Sequence, residues 1–399
     1  MSLRDTIKSV RSTATPASGE ARPAPARPLR VVAIGGGTGL STLLRGLKRH
    51  VAAPPGTLPI LPGADPGATA PCLISDLAAI VTVTDDGGSS GRLREDLKML
   101  PPGDLRNCMV ALSEDEHLLS RLFQYRFDAP DASANTHTSP RTNGGGVSGL
   151  AGHSFGNIFL AAMHGITGDF TQAVQMSSQI LATRGHIYPS TSSYVTLAAR
   201  MDDGSTVEGE TSITASKRRI VELMLVPATA KPLPETLDAI AAADLITLGP
   251  GSLYTSLITN LLVQGIPQAL AQAKGTRVYI CNLMTQANES IGLTASQHIE
   301  RIYRHTGTPI FDYALVNTSP VSPALLARYA AEGAEPIVAD LDRMEALGVR
   351  PIPGNFIFEG DVLRHDYDRV TDALLRLGFE GRPKAAAKQL RGWRRIFRR

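Results

Sequence analysis

The sequence is poor in cysteine and in aromatic residues, and it contains no long apolar run. Three cysteines occur in 399 residues, Cys72, Cys108 and Cys281, and no two of them form a CxxC pair. Such a sparse, odd set argues against a disulfide framework and against a thiolate metal site. No run of 18 or more apolar residues is present, so no transmembrane helix is predicted. The N-terminus also lacks the apolar core of a signal peptide, and we therefore expect a cytoplasmic protein.

Motifs of several enzyme classes are also missing. There is no HExxH, no zinc-ligand spacing and no ordered Ser, His and Asp set of a hydrolase. These absences leave open whether the protein is an enzyme.

Charge is distributed unevenly along the chain. The formal net charge is +3, but residues 1–30 carry +4 and residues 382–399 carry +8, which leaves the remainder at −9. The basic pI of about 8.8 therefore describes the two ends and says little about the ligand site. We expect no nucleic-acid partner.

The two ends differ in composition from the rest. Residues 1–29 are rich in Pro, Ala, Ser and Arg without a hydrophobic period, which predicts a disordered leader. Residues 384–399 form a basic tail in which Trp393, Ile396 and Phe397 can share one helical face. This pattern is typical of segments that contact an anionic membrane, and a solvated tail or a protein partner is the alternative.

Between the ends, short apolar runs alternate with amphipathic segments. Leu29–Ile34 reads as a buried strand followed by a helix over Thr42–His50, and strand–helix alternation resumes after Pro234 with a helix over 253–263 and a strand over 336–339. This alternation predicts an α/β fold, a Rossmann-like, mostly parallel sheet with helices on both faces.

Three segments interrupt the alternation. Residues 52–71 and 129–149 are rich in Gly and polar residues and are predicted to be inserted loops. Residues 186–230 contain a hairpin pattern with a second strand over 206–211, and they predict a small β-rich insertion. We therefore predict one α/β domain over residues 30–383.

The first chemical motif is a run of glycines directly after the first strand. Glycine lets the backbone turn sharply and bring its N–H groups close to an anion, and a following helix adds its positive N-terminus. The pattern is neither the dinucleotide GxGxxG nor a Walker loop, since no Gly–Lys–Ser/Thr follows. We predict a phosphate cradle made by Gly35, Gly36, Gly37, Thr38 and Gly39.

The second motif follows the next strand. Asp85 and Asp86 stand at a strand's carboxyl end, where an acid can hold a ribose or Mg²⁺. The turn that follows them is a second candidate anion site, with the members Gly87, Gly88, Ser89, Ser90 and Arg92.

Two further motifs give weaker candidates. Asp104 reads as a helix N-cap, after which Arg106 and Asn107 could reach a phosphate or a base. His153 and Asn157 open a helix after a Gly-rich segment, and a ligand role and a structural role are both open for the histidine.

The last motifs follow later strands. A Gly–Pro–Gly–Ser turn with hydroxyls in the next helical turn predicts a second phosphate cradle, and Asn282 ends a strand where it could read a base or sugar. The members of the turn are Gly249, Pro250, Gly251, Ser252, Thr255 and Ser256. Because all these segments follow strands, we expect them to converge on one edge of the sheet.

Several long motifs carry a resemblance. GGGTGLSTLLRGLK, IVTVTDDGGSSGRLR, LPPGDLRN, GHSFGN, LGPGSLYTS and CNLMTQ resemble the bacterial gluconeogenesis factor family, a CofD-like group related to 2-phospho-L-lactate transferase. The resemblance runs from Val31 to Thr318. It departs at Ala287-Asn288-Glu289-Ser290, where the family tends to have Pro-Gly-Glu-Thr.

The resemblance implies a function as well as a fold. It implies a cytosolic, UDP-N-acetylglucosamine-like sugar-nucleotide binder needed for cell shape and growth on gluconeogenic carbon, with phosphates on Gly35–Gly39 and Gly249–Ser252. Asp85 and Asp86 would then hold a metal or the acceptor, and Asn157 would face the cleft. The alternative it implies is a Mg²⁺-dependent transferase of the 2-phospho-L-lactate type. The sequence leaves turnover and homo-oligomer formation open.

Overall fold

The computed structural model describes residues 27–52, 72–114, 116–128, 149–216, 218–287 and 289–381. Residues 1–26 of the predicted leader, both inserted loops except for their outermost residues, and the basic tail lie outside these residues. The predicted end of the leader at residue 29 was wrong, because Leu29 is buried and begins the first strand. No helix within the described residues is long and apolar enough to cross a membrane.

The described residues form twelve strands. They are β1 (Leu29–Gly35), β2 (Ile74–Val81), β3 (His186–Pro189), β4 (Thr196–Met201), β5 (Thr206–Glu208), β6 (Ile220–Val226), β7 (Leu245–Leu248), β8 (Thr276–Ile280), β9 (Tyr313–Asn317), β10 (Arg350–Gly354), β11 (Ile357–Glu359) and β12 (Leu363–His365).

The helices lie between and after these strands, singly or in runs. They are α1 (Gly37–Lys48), α2 (Gly88–Leu97), α3 (Gly103–Leu112), α4 (Glu116–Gln124), α5 (Phe155–Thr167), α6 (Phe170–Ile180), α7 (Glu210–Ala215), α8 (Pro234–Ala242), the π-helical turn (Leu253–Ile258), α9 (Thr259–Leu261), α10 (Ile266–Gln272), α11 (Ala295–Thr306), α12 (Pro323–Ala331), α13 (Leu341–Ala346) and α14 (Tyr367–Glu380).

A parallel sheet of seven strands organises the fold. Its strand order is β10-β9-β8-β7-β1-β2-β3, and every pairing in it is parallel. A three-stranded sheet in the order β5-β4-β6 and the hairpin β11-β12 are both antiparallel. The predicted α/β, Rossmann-like class with helices on both faces is therefore confirmed.

The centre of the sheet is apolar on both faces. Residues 31–34 of β1 are all buried, as expected for a central parallel strand covered by helices. Leu40, Leu43, Leu44 and Leu47 recur at helical spacing along α1 and are buried too. This stripe fixes α1 on the sheet, so the helix N-terminus is held at the strands' carboxyl edge.

One predicted helix start and one predicted helix type were wrong near the glycine motifs. The helix predicted from Thr42 begins at Gly37, because a single residue, Gly36, suffices to leave the strand. The helix predicted over 253–263 starts as a π-helical turn, in which the Leu257 N–H donates to the Ser252 carbonyl. π-Helical turns are rare and often accompany functional sites.

Two predicted strands were also wrong. The pattern at 336–339 gives only an isolated bridge between Met284 and Pro336, and the seventh strand is β10 instead. β10 contains two prolines, which disguise it in the sequence and which an edge strand tolerates. The second hairpin strand, predicted through Thr211, ends at Glu208 because α7 begins at Glu210.

A glycine fixes the contact between α1 and α14. A Cβ at Gly46 would overlap the Thr371 side chain and lie 3.0 Å from the Tyr367 carbonyl oxygen. We expect Gly46→Ala to lower the free energy of unfolding by about 1–3 kcal/mol, since the crowded atoms are backbone and buried side chain. A Cβ at Gly165 in α5 would meet no atom within 4 Å, so Gly165→Ala should be neutral or stabilise by up to about 1 kcal/mol. Urea denaturation of both variants tests this, and equal effects would contradict it.

Candidate functional site

The strand order places a crevice beside β1. From β1 the chain moves to β2 and β3 on one side, and from β7 it moves to β8, β9 and β10 on the other. β1 and β7 are hydrogen-bonded neighbours, so the direction in which strands are added reverses between them. In open α/β sheets ligands bind outside the carboxyl ends of the strands at such a switch point.

The glycine loop after β1 lets neighbouring backbone and side-chain atoms approach it closely. Gly36 is extended and Gly37 has φ +63°, a value that favours glycine. A Cβ at Gly39 would overlap the Pro250 carbonyl oxygen, and one at Gly36 would lie 2.8 Å from Asp104 Oδ2. α1 has no side-chain N-cap and no acid in its first turn. Its N-terminal N–H groups are therefore available at the crevice, apart from that of Gly37, which donates to Asp104.

The glycine loop after β7 lies against the first one. Asn260 reaches back to donate to the Gly35 carbonyl at 3.1 Å and to the Ser256 carbonyl at 2.7 Å. Gly249 has φ +88° and turns the chain out of β7. A Cβ at Gly36 would lie 3.5 Å from the Ser256 Cβ, and one at Gly37 would lie 3.8 Å from the Ser256 hydroxyl. The two predicted phosphate cradles are thus brought together as one feature.

A cleft of about 340 Å³ opens over these loops. Of the predicted site residues, it is lined by Thr38, Gly39, Pro250, Gly251, Ser252 and Asn282. Thr255, although predicted with this group, turns away and donates its hydroxyl to Glu289 at 3.0 Å.

Gln286, at the end of the CNLMTQ motif that begins after β8, also lines the cleft. The rest of the cleft comes from residues that the sequence patterns did not indicate. They lie in α1, in α12, and in the hairpin β11-β12 with the start of α14, and the polar ones are Thr42, Tyr329, Arg364, His365 and Tyr367. The run Arg364–Tyr367 is dense in polar and ring-bearing residues just before a helix. This density of polar residues was the feature of the sequence that could have indicated a site, but no glycine pattern accompanies it.

The hairpin β11-β12 forms one wall of the cleft and is pinned at two points. The His365 ring Nε2 lies 3.0 Å from the Cys281 carbonyl oxygen, and the Leu363 N–H donates to the Tyr329 hydroxyl at 3.0 Å. Burial lowers the pKa of His365 to about 4, so its ring is neutral and donates an N–H to that carbonyl.

The two aspartates after β2 point in different directions. Asp85 Oδ1 accepts from the Gly87 N–H at 3.0 Å. Asp86 Oδ1 accepts from both the N–H and the hydroxyl of Thr211, at 2.8 and 2.6 Å, and so holds the first turn of α7. Asp85 and Asp86, which were predicted as a pair of metal ligands, therefore do not point at one position, because the Asp86 carboxylate is hydrogen-bonded to α7.

A different set of carboxylates does converge. Asp104, which the sequence suggested as an N-cap, lies inside α3. Burial raises the pKa of Asp104 to about 6, although the hydrogen bond from the Gly37 N–H lowers it, and the negative charge of Asp85 raises it further. Burial raises the pKa of Glu210 to about 8, and the negative charges of Asp85 and Asp104 contribute to this rise. The Thr84 hydroxyl donates a hydrogen bond to the Glu210 carboxyl group at 3.1 Å. Glu210 is a site residue that the sequence analysis missed.

Several predicted ligand residues are brought together but bind one another. The Ser89 hydroxyl lies 3.0 Å from His153 Nδ1 and accepts from Asn157 Nδ2 at 3.0 Å. Arg106 donates to Asn157 Oδ1 at 3.1 Å and to the Ser154 hydroxyl at 2.6 Å. Burial lowers the pKa values of both Arg106 and His153. Arg106 Nε is buried without a hydrogen-bond partner among the described residues.

The remaining predicted residues surround this network. Arg106 also donates to Asn107 Oδ1 at 2.8 Å, and Arg92 donates to the Ala151 carbonyl at 2.8 Å. The expected glycine turn is the start of α2, since the helix begins at Gly88, and Ser90 is buried in its first turn. These residues lie on the β2 side of β1, opposite the cleft on the β7 side.

Metal-binding capacity can be judged from the donor set. No group of three or more His, Cys, Asp or Glu side chains within the described residues is arranged to hold a metal ion. Mg²⁺, however, often uses one or two protein carboxylates and completes its shell with water and substrate phosphate oxygens. Asp85 and Asp104 fit that sparse role better than Asp85 and Asp86.

Comparison with known proteins places this architecture in a family. The family model described as 2-phospho-L-lactate transferase CofD matches residues 31–357. A protein named gluconeogenesis factor from Halalkalibacterium halodurans is 45% identical over 358 residues, covering 90% of this chain and 98% of that protein. A gluconeogenesis factor from Bacillus subtilis is 42% identical over 349 residues, covering 87% and 98%.

A solved structure agrees with the sequence comparisons. The crystal structure of a member of the UPF0052 family from Bacillus halodurans superposes with a TM-score of 0.75 at 45% identity, covering 88% of this chain and 99% of that one.

The carboxylate cluster predicts a pH dependence of stability. Because the pKa of Glu210 is raised, the folded state holds a proton that the unfolded state has lost above pH 4.5, so the free energy of unfolding should fall as pH rises toward 8. Glu210→Gln should not show this decrease, because the glutamine has no proton to lose. The free energy of unfolding of the variant minus that of wild type should therefore increase by about 1–3 kcal/mol between pH 5 and pH 9.

Denaturant titrations at pH 5, 7 and 9 measure this difference. The matched control is Glu208→Gln, since Glu208 is an exposed side chain in β5, and its difference from wild type should stay constant with pH. Parallel pH profiles for wild type and Glu210→Gln would contradict the assignment.

Proposed function

Since the chain belongs to the family of 2-phospho-L-lactate transferase CofD and the gluconeogenesis factors, we propose that it binds a nucleotide-sugar of the UDP-N-acetylglucosamine type. In this proposal it is a cytosolic regulator that links this metabolite to growth on gluconeogenic carbon and to cell shape. The free thiols Cys108 and Cys281 suit a reducing compartment. The observation that carries the proposal is the contact between two glycine loops at the switch point.

The loops suit the diphosphate of such a ligand. The start of α1 at Thr38 and Gly39 offers backbone N–H groups and the positive end of the helix dipole. Pro250–Ser252 approach from the other side, and the exposed Arg364 guanidinium stands on the facing wall. Two facing cradles match two linked phosphates better than one.

The deeper wall suits a base. Tyr329 offers a ring for stacking, and Asn282 and Gln286 carry amides that can donate and accept hydrogen bonds. Leu283 and Met284 supply apolar surface beside them. A planar ring with polar edges is the chemical group that such a lining favours.

The outer end of the cleft suits a sugar. A groove of about 560 Å³ continues from the cleft and shares Thr42, Arg364 and Tyr367 with it. Arg45 and Asp361 add a cation and a carboxylate to the groove, which can hydrogen-bond to hydroxyl and amide groups. The ligand would thus extend from base to sugar along one continuous surface.

Mg²⁺ would belong on the β2 side of β1, beside the Gly35–Gly39 loop and outside the residues that line the cleft. Asp85 and Asp104 would hold it, and when bound it would offset phosphate charge. The protein's own part is to keep the Asp104 carboxylate in place through the Gly37 N–H.

The transferase of the 2-phospho-L-lactate type is the second candidate. It is favoured by the match to the transferase family and by Glu210, whose pKa of about 8 suits proton transfer near neutral pH. Such an enzyme would need an acceptor on the β2 side, near Asn157.

Calorimetric titration with UDP-N-acetylglucosamine, with and without Mg²⁺, tests the proposal. We expect micromolar binding by wild type, and at least a roughly tenfold weaker affinity for Arg364→Gln because a phosphate contact is lost. Asp85→Ala should remove the effect of Mg²⁺. The matched control is Arg343→Gln, an exposed arginine on α13, which should bind like wild type.

The opposite result would favour the transferase. Absence of UDP-sugar binding together with binding of GDP, or turnover of a guanylyl-phospholactate donor with a deazaflavin acceptor, would overturn the regulator proposal.

A further inference from the structure

A second, smaller cavity lies behind the π-helical turn. Its volume is about 140 Å³, and it shares no lining residue with the cleft. It is lined by Arg218, Arg219, Tyr254, Glu289, Ile291, Leu293 and Arg301. Three of its seven lining residues are therefore arginines, contributed by the approach to β6 and by α11.

Two of these arginines have no acidic partner. Arg218 is paired with Asp203 and also donates to the Ser205 hydroxyl at 2.9 Å. The guanidinium groups of Arg219 and Arg301 form neither an ion pair nor a hydrogen bond with any residue in the part of the chain that the structure describes. Arginines that frame a cavity without a counter-charge leave two guanidinium groups for a ligand.

The one carboxylate in the lining is already satisfied. Glu289 accepts from the Tyr254 N–H at 3.2 Å and from the Thr255 hydroxyl at 3.0 Å, one donor to each oxygen. Burial raises the pKa of Glu289, although the hydrogen bonds from Thr255 and Tyr254 favour its ionised form, and this single carboxylate faces three arginines. The cavity is therefore net positive.

The floor offers a hydroxyl whose single proton makes one long hydrogen bond. The Tyr254 side chain is buried, and its hydroxyl donates only a long 3.4 Å hydrogen bond to the Ile220 carbonyl. Burial raises the pKa of Tyr254, so the phenol keeps its proton. Ile291 and Leu293 give one apolar side that can cover a short carbon chain.

We propose that this cavity binds a phosphate monoester dianion, a small phosphorylated metabolite distinct from the ligand of the cleft. Guanidinium groups bind phosphate through paired N–H donors, which an ammonium cannot match. The volume equals that of about five water molecules, enough for a phosphate group and a few further atoms. This site does not depend on the proposed function of the cleft.

Calorimetry with inorganic phosphate and with methyl phosphate tests the site, at constant ionic strength so that general screening is the same throughout. Arg219→Gln/Arg301→Gln should weaken binding of both probes at least roughly tenfold. Arg121→Gln/Arg376→Gln, two exposed arginines on α4 and α14, give the same change in net charge and should bind like wild type.

A cleft variant separates the two sites. The phosphate binding that is lost in Arg219→Gln/Arg301→Gln should persist in Arg364→Gln, because Arg364 lines the cleft and not the arginine cavity. Unchanged binding by Arg219→Gln/Arg301→Gln, or an equal loss in the charge-matched control or in Arg364→Gln, would overturn the proposal. Tighter binding of methyl phosphate than of inorganic phosphate would support an ester as the ligand, and the reverse order would overturn that assignment.

Discussion

The site depends on the close approach of two backbone loops at the point where the sheet changes direction. Gly39 lies so near the Pro250 carbonyl that no side chain fits between them, and Asn260 ties the second loop to the end of β1. This contact is possible only because β1 and β7 are adjacent and parallel. It fixes the distance between a helix N-terminus and a Gly–Pro–Gly–Ser turn, and that distance determines which ligands the cleft can hold.

The same edge of the sheet separates two chemical environments. On the β7 side, the cleft combines backbone donors with Tyr329 and Arg364. On the β2 side, Asp104 and Glu210 form an acidic cluster beside the hydrogen-bonded Arg106. The chemical groups therefore differ across β1, and a ligand that spanned the strand would meet backbone donors on one side and carboxyl groups on the other.

Sequence patterns predict the local parts of this site and miss the distant ones. Glycines after strands have a local meaning, so the loops at Gly35–Gly39 and Gly249–Ser252 can be located from their neighbours alone. Arg364 belongs to a three-residue strand without a detectable period, and only the docking of the hairpin through His365 brings it to the cleft. Asp104 reads as a cap because that role needs only its neighbours, whereas its real partner, Gly37, is far away in the chain.

The helix dipole of α1 sets a limit on the charge that the cleft can accommodate. A helix N-terminus supplies about half a positive charge, and one of its N–H groups is already used by Asp104. A diphosphate bound there would add negative charge next to Asp104, whose pKa is already raised to about 6. Protonation of Asp104 would remove one of the repelling charges but would leave the phosphate charges without a counter-charge. A cation held by Asp85 and Asp104 would offset both charges at once, which gives the proposed Mg²⁺ a physical reason that is independent of any resemblance.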